Sequence, residues 1–157
     1  MGKTVVLAGA LDTKGAEFSY VRKVIRRAGL DVLTVDFGVL GEPAFIPDIS
    51  RAEVAQAGGG DLERWRSGEH KDEAMAGMAA ALAVVVRRLF DEGRLDGIFS
   101  MGGSGGTSVA TTAMRTLPVG CRSWWPRPWA AAMSAGTPGP RTSRSCLRSW
   151  TSRGSTG

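Results

Sequence analysis

The character of the sequence changes abruptly after Gly120, and this change limits which part of the chain can fold. Residues 121–157 contain no Asp, Glu, Lys, Val or Ile, yet they hold six Arg, four of the five Trp and both Cys. A segment without β-branched apolar residues has little with which to build a strand or a buried core. We therefore expect residues 1–120 to form the folded domain and residues 121–157 to be a disordered tail.

The composition of this tail is typical of a coding sequence read out of frame. Trp and Cys codons begin with TG, and codons that end in TG encode Leu, Met or Val, so a base lost near Gly120 would convert aliphatic residues into Trp and Cys. With GC-rich third bases, the restored frame reads VPKLVAST after Gly120, which resembles a fourth strand. The alternative is a genuine arm rich in Arg, Ser and Pro. In the chain as it stands we expect this strand to be missing, which would leave the third strand with a bare edge.

The positive charge of the chain also comes from the tail. The net charge is +5, but residues 1–120 carry 14 of the 20 Lys and Arg against 15 Asp and Glu, a net charge of −1. A nucleic-acid partner needs a basic surface, so we expect none. Both cysteines, Cys121 and Cys146, lie in the tail, and a cysteine-free body is typical of the reducing cytoplasm. No apolar run is long enough for a signal peptide or a membrane span.

Apolar runs and helical periodicities alternate along residues 1–120, which predicts an α/β fold. Predicted strands cover residues 3–8, 31–37 and 96–101, and predicted helices cover residues 16–28, 50–57, 69–92 and 107–117. Strands that alternate with helices favour a parallel sheet with right-handed crossovers. We predict a doubly wound, Rossmann-like parallel sheet that is incomplete after the third or fourth strand.

A glycine-rich loop between the third strand and the last helix is the first candidate binding site. It comprises Gly102, Gly103, Ser104, Gly105, Gly106 and Thr107. Glycines let backbone amides approach a ligand, and the N-terminus of a helix attracts anions. The loop lacks the Lys of a Walker A motif, and Ser108 replaces the third Gly of a dinucleotide fingerprint. We interpret it as a phosphate site; the alternative is a tight turn with Thr107 as helix cap.

A second candidate loop follows the first strand and includes Asp12, Thr13, Lys14 and Gly15. Ligands of open α/β sheets bind outside the carboxyl ends of the strands, where both loops are expected. Lys14 can pair with a phosphate, and Asp12 can hold Mg²⁺ through water. The alternative is that Asp12 or Thr13 caps the first helix.

Three further features are weaker candidates. Asp36 ends the second strand, where dinucleotide folds place a ribose-binding acid. The loop 38–47 follows it and is expected to form a lid or a subunit contact. His70 is the only histidine and has no metal-ligand partner in the sequence pattern.

These motifs resemble one known family, the Tm-one-like ATP-binding domain, whose plant member inhibits tobamovirus RNA replication. The resemblance is carried by the residues around the ends of the first and third predicted strands, GALDTKGAEF and SMGGSGGTSVATTAM. It covers residues 3–120. It implies a Rossmann-like subdomain that binds ATP, with Mg²⁺, through Asp12 to Gly15 and Gly102 to Thr107. It also implies a second subdomain in full-length relatives and a homo-oligomer as one possible state.

The sequence leaves three functions open. The first is an ATP-binding domain, truncated and without activity, whose partner is a nucleotide. The second is a fragment of an enzyme that acts on a small phosphorylated or acyl substrate, for which Asp12 and Asp36 are the available bases. The third is a protein-binding inhibitor module, which requires an exposed apolar patch.

Overall fold

The computed structural model describes residues 2–67, 71–118 and 122–124, all within one compact unit, Met1–Trp125. Its strands and helices follow one another as β1 (Thr4–Gly9), α1 (Leu11–Arg27), β2 (Asp31–Asp36), α2 (Arg51–Ala57), α3 (Leu62–Arg66), α4 (Lys71–Asp91), β3 (Gly97–Ser100), α5 (Ser104–Met114) and β4 (Arg122–Trp124). The predictions for His70, Cys121 and Cys146, and for the tail beyond residue 124, fall outside the described residues. No helix in the described ranges is long and apolar enough to cross a membrane.

The four strands form one parallel sheet in the order β2-β1-β3-β4. From β1 the chain moves outward to β2, then crosses back over β1 to reach β3. The direction of strand addition therefore reverses between β1 and β3, which is the topological switch point of a doubly wound sheet. This confirms the predicted α/β class and an incomplete Rossmann-like arrangement.

The strand β4 contradicts our expectation that the third strand has a bare edge. Residues 122–124 pair in parallel with Gly97–Phe99. A parallel ladder is built from backbone N–H and C=O groups, so it does not require β-branched side chains when the preceding helix brings the chain to an open edge. The composition of residues 121–157 therefore failed to predict this short strand.

The helices cover both faces of the sheet. On one face α1 buries Leu11 and Phe18 against Leu7, Val32 and Phe99. On the other face, α2, α4 and α5 pack over the side chains of the alternate strand positions, including Val6, Ala8, Val35 and Ile98. Two separate apolar clusters therefore hold the sheet in a three-layer arrangement, and α1 and α5 leave the switch point towards opposite faces.

The predicted capping box at the start of α2 is confirmed. The Ser50 side chain accepts a hydrogen bond from the N–H of Glu53, and the Glu53 carboxylate accepts one from the N–H of Ser50 at 2.8 Å. This reciprocal pair satisfies two backbone donors that the helix cannot satisfy itself. It fixes where α2 begins, directly after the loop that leaves β2.

The same loop is attached to β2 through Asp48. The Asp48 carboxylate accepts hydrogen bonds from the Thr34 N–H at 2.8 Å and from the Thr34 hydroxyl at 2.5 Å. Partial burial acts to raise the pKa of Asp48, but these hydrogen bonds, with the charges of Arg22 and Arg26, lower it below its usual value. The ionised carboxylate is therefore part of the folded structure.

We expect Thr34→Val to lower the free energy of unfolding by about 0.5–1.5 kcal/mol at neutral pH, because the partly exposed carboxylate loses a hydroxyl donor. Since the folded pKa of Asp48 lies below the unfolded one, its contribution is present above the unfolded pKa and lost as the pH falls through the folded pKa. Urea unfolding between pH 2 and 7 measures both effects. A variant as pH-sensitive in this acid range as the wild type would contradict the role of Thr34.

Candidate functional site at the topological switch point

The ends of β1 and β3 lie side by side at the carboxyl edge of the sheet. Ala8 is the register partner of Ser100, and Gly9 is the partner of Asp36 on the other side. The chain turns from β1 into α1 on one face and from β3 into α5 on the other. The two predicted loops therefore lie at the switch point, where doubly wound sheets bind their ligands, and we call the region between residues 9–13 and 101–106 the switch-point crevice.

The helix after β3 begins earlier than predicted. It starts at Ser104, so Gly105 and Gly106 lie in its first turn and Gly103 is the N-cap. Thr107 is not the cap, because its hydroxyl donates back to the Gly103 carbonyl at 2.8 Å, as does its N–H at 2.9 Å. Glycines adopt helical dihedrals once a following segment nucleates the helix, and a preference for loops does not prevent this.

The first turn of α5 has the features of an anion site. The N–H groups of Ser104, Gly105 and Gly106 have no acceptor among the described residues, no acidic residue lies in this turn, and no side chain caps it. A Cβ on Gly103 would meet no atom within 4 Å, so the space beside the turn is open. Free amides and the positive end of the helix dipole thus face an accessible space.

Apolar groups support this turn from behind. A Cβ on Gly105 would lie 3.0 Å from the methyl carbon of Met75, and a Cβ on Gly106 would lie 3.9 Å from the ring of Phe37. A side chain at Gly105 would therefore require the Met75 methyl group to shift. The glycines allow close packing on one side and leave the amides uncovered on the other.

The loop after β1 is partly helical. Residues 11–13 form a helical turn that is separated from the rest of α1 by a kink at Lys14. The N-cap is Ala10, which makes no side-chain cap, so neither Asp12 nor Thr13 caps the helix. The Lys14 ammonium pairs with Glu17 at 3.1 Å on the exposed side of α1. Its predicted contact with a phosphate remains a prediction.

Asp12 holds the loop that follows β2. Its Oδ2 atom accepts hydrogen bonds from the N–H of Leu40 at 3.1 Å and of Gly41 at 3.0 Å. Its Oδ1 atom is buried without a partner and packs closely against Gly38. One oxygen of the predicted Mg²⁺ ligand is thus used in hydrogen bonds within the protein, and the other is unpaired.

Asp36 is fully buried, and it joins the loops that leave β1 and β2. Its Oδ1 atom accepts hydrogen bonds from the N–H of Leu11 at 3.1 Å and of Gly38 at 2.9 Å, while Oδ2 has no partner. Burial raises the pKa of this carboxyl, and the nearby charge of Asp12 adds to the increase. The predicted contact with a ribose is not tested by this geometry, but the carboxylate already has a structural partner on each side.

The loop 38–47 lies over the turn after β1. Ala44 donates its N–H to the Leu11 carbonyl at 3.1 Å, and a Cβ on Gly15 would lie only 2.2 Å from that of Ala44. The buried Arg51 guanidinium bonds to the Gly41 carbonyl and pairs with Glu42 at 2.8 Å. The loop is thus fixed from three sides, although Leu40 and Ile46 on its outer surface remain exposed.

Sequence reasoning missed one polar residue at this edge. Ser100 ends β3, has no exposed surface, and its hydroxyl has no hydrogen-bond partner. The only signal in the sequence is a Ser at the end of the apolar run Gly97–Ser100, directly before the glycine loop. Within the described ranges, no three His, Cys, Asp or Glu side chains cluster as metal ligands.

Comparison with known proteins identifies relatives of this domain. A UPF0261 protein from Clostridium tetani is 42% identical over 120 residues, which cover 76% of this chain and 30% of that protein. UPF0261 proteins from Brucella suis and Rhizobium meliloti are each 34% identical, over 116 and 138 residues, or 74% and 88% of this chain and 28% and 33% of theirs. The chain therefore spans about a third of the length of these curated relatives.

A family model also matches residues 3–127, and it is described as the N-terminal domain of an uncharacterised protein family, UPF0261. These matches overturn the resemblance to the Tm-one-like ATP-binding domain, because both the family model and the relatives carry the UPF0261 name. Glycine-rich turns after strands occur in doubly wound folds generally, so these motifs alone do not distinguish one family from another. On this evidence the chain belongs to the UPF0261 family, of which it contains the N-terminal domain.

Proposed function

We propose that this domain binds the phosphate group of a small molecule, with a nucleotide such as ATP as the leading class, in the switch-point crevice. The observation that carries the proposal is the first turn of α5, whose three N–H groups at Ser104, Gly105 and Gly106 have no acceptor in the described part of the chain. Such a turn is a ready anion site because its donors and its dipole favour the same charge.

The position of this turn supports a ligand rather than a simple connection. Doubly wound sheets bind their ligands where the strand order reverses, and here that point lies between β1 and β3. The open space beside Gly103 gives a ligand access to the amides. The cations in and beside the loops after β1 and β2 are engaged elsewhere: Lys14 pairs with Glu17, and Arg51 pairs with Glu42. The proposed recognition is therefore made mainly by the backbone.

Magnesium belongs to the proposal only through Asp12. Its Oδ1 atom is unpaired beside the β1 turn, and because this atom is buried against Gly38, it must be uncovered before it can bind an ion. Mg²⁺ usually binds phosphates with one or two carboxylates and several waters. Asp12 would hold the ion and leave Leu40 and Gly41 bonded to its other oxygen.

Thermal unfolding with ATP, inorganic phosphate or chloride at constant ionic strength tests the proposal. A ligand at 100 times its dissociation constant should raise the free energy of unfolding by about 2.7 kcal/mol. We expect ATP or phosphate to stabilise the domain and chloride to have no effect. Unchanged melting with both phosphate compounds, with and without Mg²⁺, would contradict the proposal.

A single charge should separate binding from folding. We expect Ser104→Asp to abolish the stabilisation by phosphate, because the carboxylate competes for the same amides and repels the anion. The unliganded variant should be as stable as the wild type or more stable by about 0.3–1 kcal/mol, since a negative charge at a helix N-terminus is favourable. Ser104→Asn is the matched neutral control and should retain binding. Retained phosphate binding in Ser104→Asp would contradict the assigned turn.

A further inference from the structure

Ser100 is a buried polar residue that the fold itself does not explain. Its side chain has no exposed surface, and its hydroxyl has no hydrogen-bond partner. A buried donor without an acceptor is unfavourable, so an Ala would suit an apolar strand end better. The described part of the polypeptide supplies no hydrogen-bond acceptor for this hydroxyl.

The position of Ser100 in the sheet shows where this partner would be. Side chains alternate along a strand, so Ser100 lies on the same face as Ile98, which belongs to the cluster that contains Val109 and Ala110 of α5. β3 and β4 are parallel, so α5, which connects them, runs back along the sheet. Ser100 therefore lies at the end of β3 where α5 begins, at the same edge of the sheet as the first turn of α5.

The chain connects these two features directly. Ser100 ends β3, and only residues 101–103 separate it from the start of α5. A Cβ on Gly102 would have only an ordinary contact, 3.7 Å from the Gly106 Cα, and one on Gly103 would meet nothing within 4 Å. The space that side chains at Gly102 and Gly103 would occupy is therefore open beside the first turn of α5.

We propose that the Ser100 hydroxyl donates a hydrogen bond to the same anion that the α5 amides bind, which adds a buried side-chain donor to the site. This inference rests on the proposed function and adds a residue to it. An oxygen of a phosphate group held by the first turn would lie over the end of β3 after a small displacement of residues 101–103. The ligand thus satisfies a donor that is left unpaired in its absence.

Calorimetric titration of the wild type and of Ser100→Ala with inorganic phosphate, and separately with ATP, tests the inference. A hydrogen bond to a charged group contributes about 1.5–3 kcal/mol, so affinity should fall at least tenfold in the variant. Thr112→Ala is the control. It removes an exposed hydroxyl from α5, away from its first turn, and should bind as the wild type does. Without ligand, Ser100→Ala should melt at or above the wild-type temperature, because it removes an unsatisfied polar atom.

The outcomes separate this inference from the proposed function. If the wild type binds neither probe, the proposed function fails and the inference fails with it. If the wild type binds and Ser100→Ala binds equally well, the anion site stands and Ser100 has no part in it. Ser100→Cys keeps a similar volume but has a weak donor, so it should also lose affinity; wild-type affinity in this variant would show that packing, and not the hydroxyl, matters.

Discussion

Replacing Gly9 by Ala is expected to destabilise this domain by about 3 kcal/mol, near the upper end of the usual cost of overpacking a core. A Cβ at this position would lie 2.0 Å from the Cζ atom of Phe18 and 2.3 Å from a second ring carbon. Phe18 is fully buried in the small cluster between α1 and the sheet, so its ring cannot turn away without displacing Leu7 or Leu11. Urea unfolding followed by circular dichroism measures the loss.

Gly102→Ala is the matched control for this substitution. Gly102 also lies at the carboxyl edge of the sheet, but its nearest contact would be an ordinary one at 3.7 Å. The double variant Gly9→Ala with Phe18→Leu should recover part of the loss, because the smaller side chain vacates the space of the ring. Equal stability of Gly9→Ala and wild type would refute the close approach of β1 and α1.

Asp36→Ala is expected to destabilise the domain by about 2–4 kcal/mol, because it leaves two buried backbone donors without an acceptor. These donors are the N–H groups of Leu11 and Gly38, which belong to different loops. The loss should extend beyond stability. Amide exchange at Leu11 and Gly38 should accelerate, since the substitution releases the turn after β1 from the loop after β2.

Asp36→Asn separates the hydrogen bonds from the charge. The amide oxygen can still accept both backbone donors, and the variant no longer carries the cost of a buried charge. Because burial raises the pKa of Asp36 in the folded state, the wild type loses stability as the pH rises from the unfolded pKa through the folded one. The Asn variant should therefore lack this loss and be within about 1 kcal/mol of the wild type at pH 7. Destabilisation equal to that of Asp36→Ala would show that the carboxylate itself is required.

The same pair of variants bears on the ribose prediction. A carboxylate that only joins two loops can be replaced by an amide without loss of nucleotide affinity. A carboxylate that also binds a ribose cannot, because the two ribose hydroxyls need acceptors. Titration of Asp36→Asn with ATP and with inorganic phosphate distinguishes the roles, since only ATP carries a ribose.

Local patterns in the sequence were sufficient to predict most elements. The capping box at Ser50 and Glu53 marked the start of α2, and the helical spacing of apolar residues placed α4 within two residues of its observed start, Lys71, and within one of its observed end, Asp91. These signals are local because they depend on contacts within one or two turns. The signals that failed were also local: glycines suggested a loop at residues 105 and 106 where the helix already begins.

An α/β fold, a parallel sheet and the two loops at its carboxyl edge follow from the sequence alone, because strand and helix periodicities dictate which faces must be buried. How those loops are used depends on the folded arrangement. The engagement of Asp12 by Leu40 and Gly41, the burial of Asp36 between two loops and the isolation of the Ser100 hydroxyl all depend on residues that are distant in the sequence. The sequence around a carboxylate or hydroxyl is the same whether its hydrogen-bond partner is a ligand or the backbone of a neighbouring loop. Only the packing of the folded chain distinguishes these two roles.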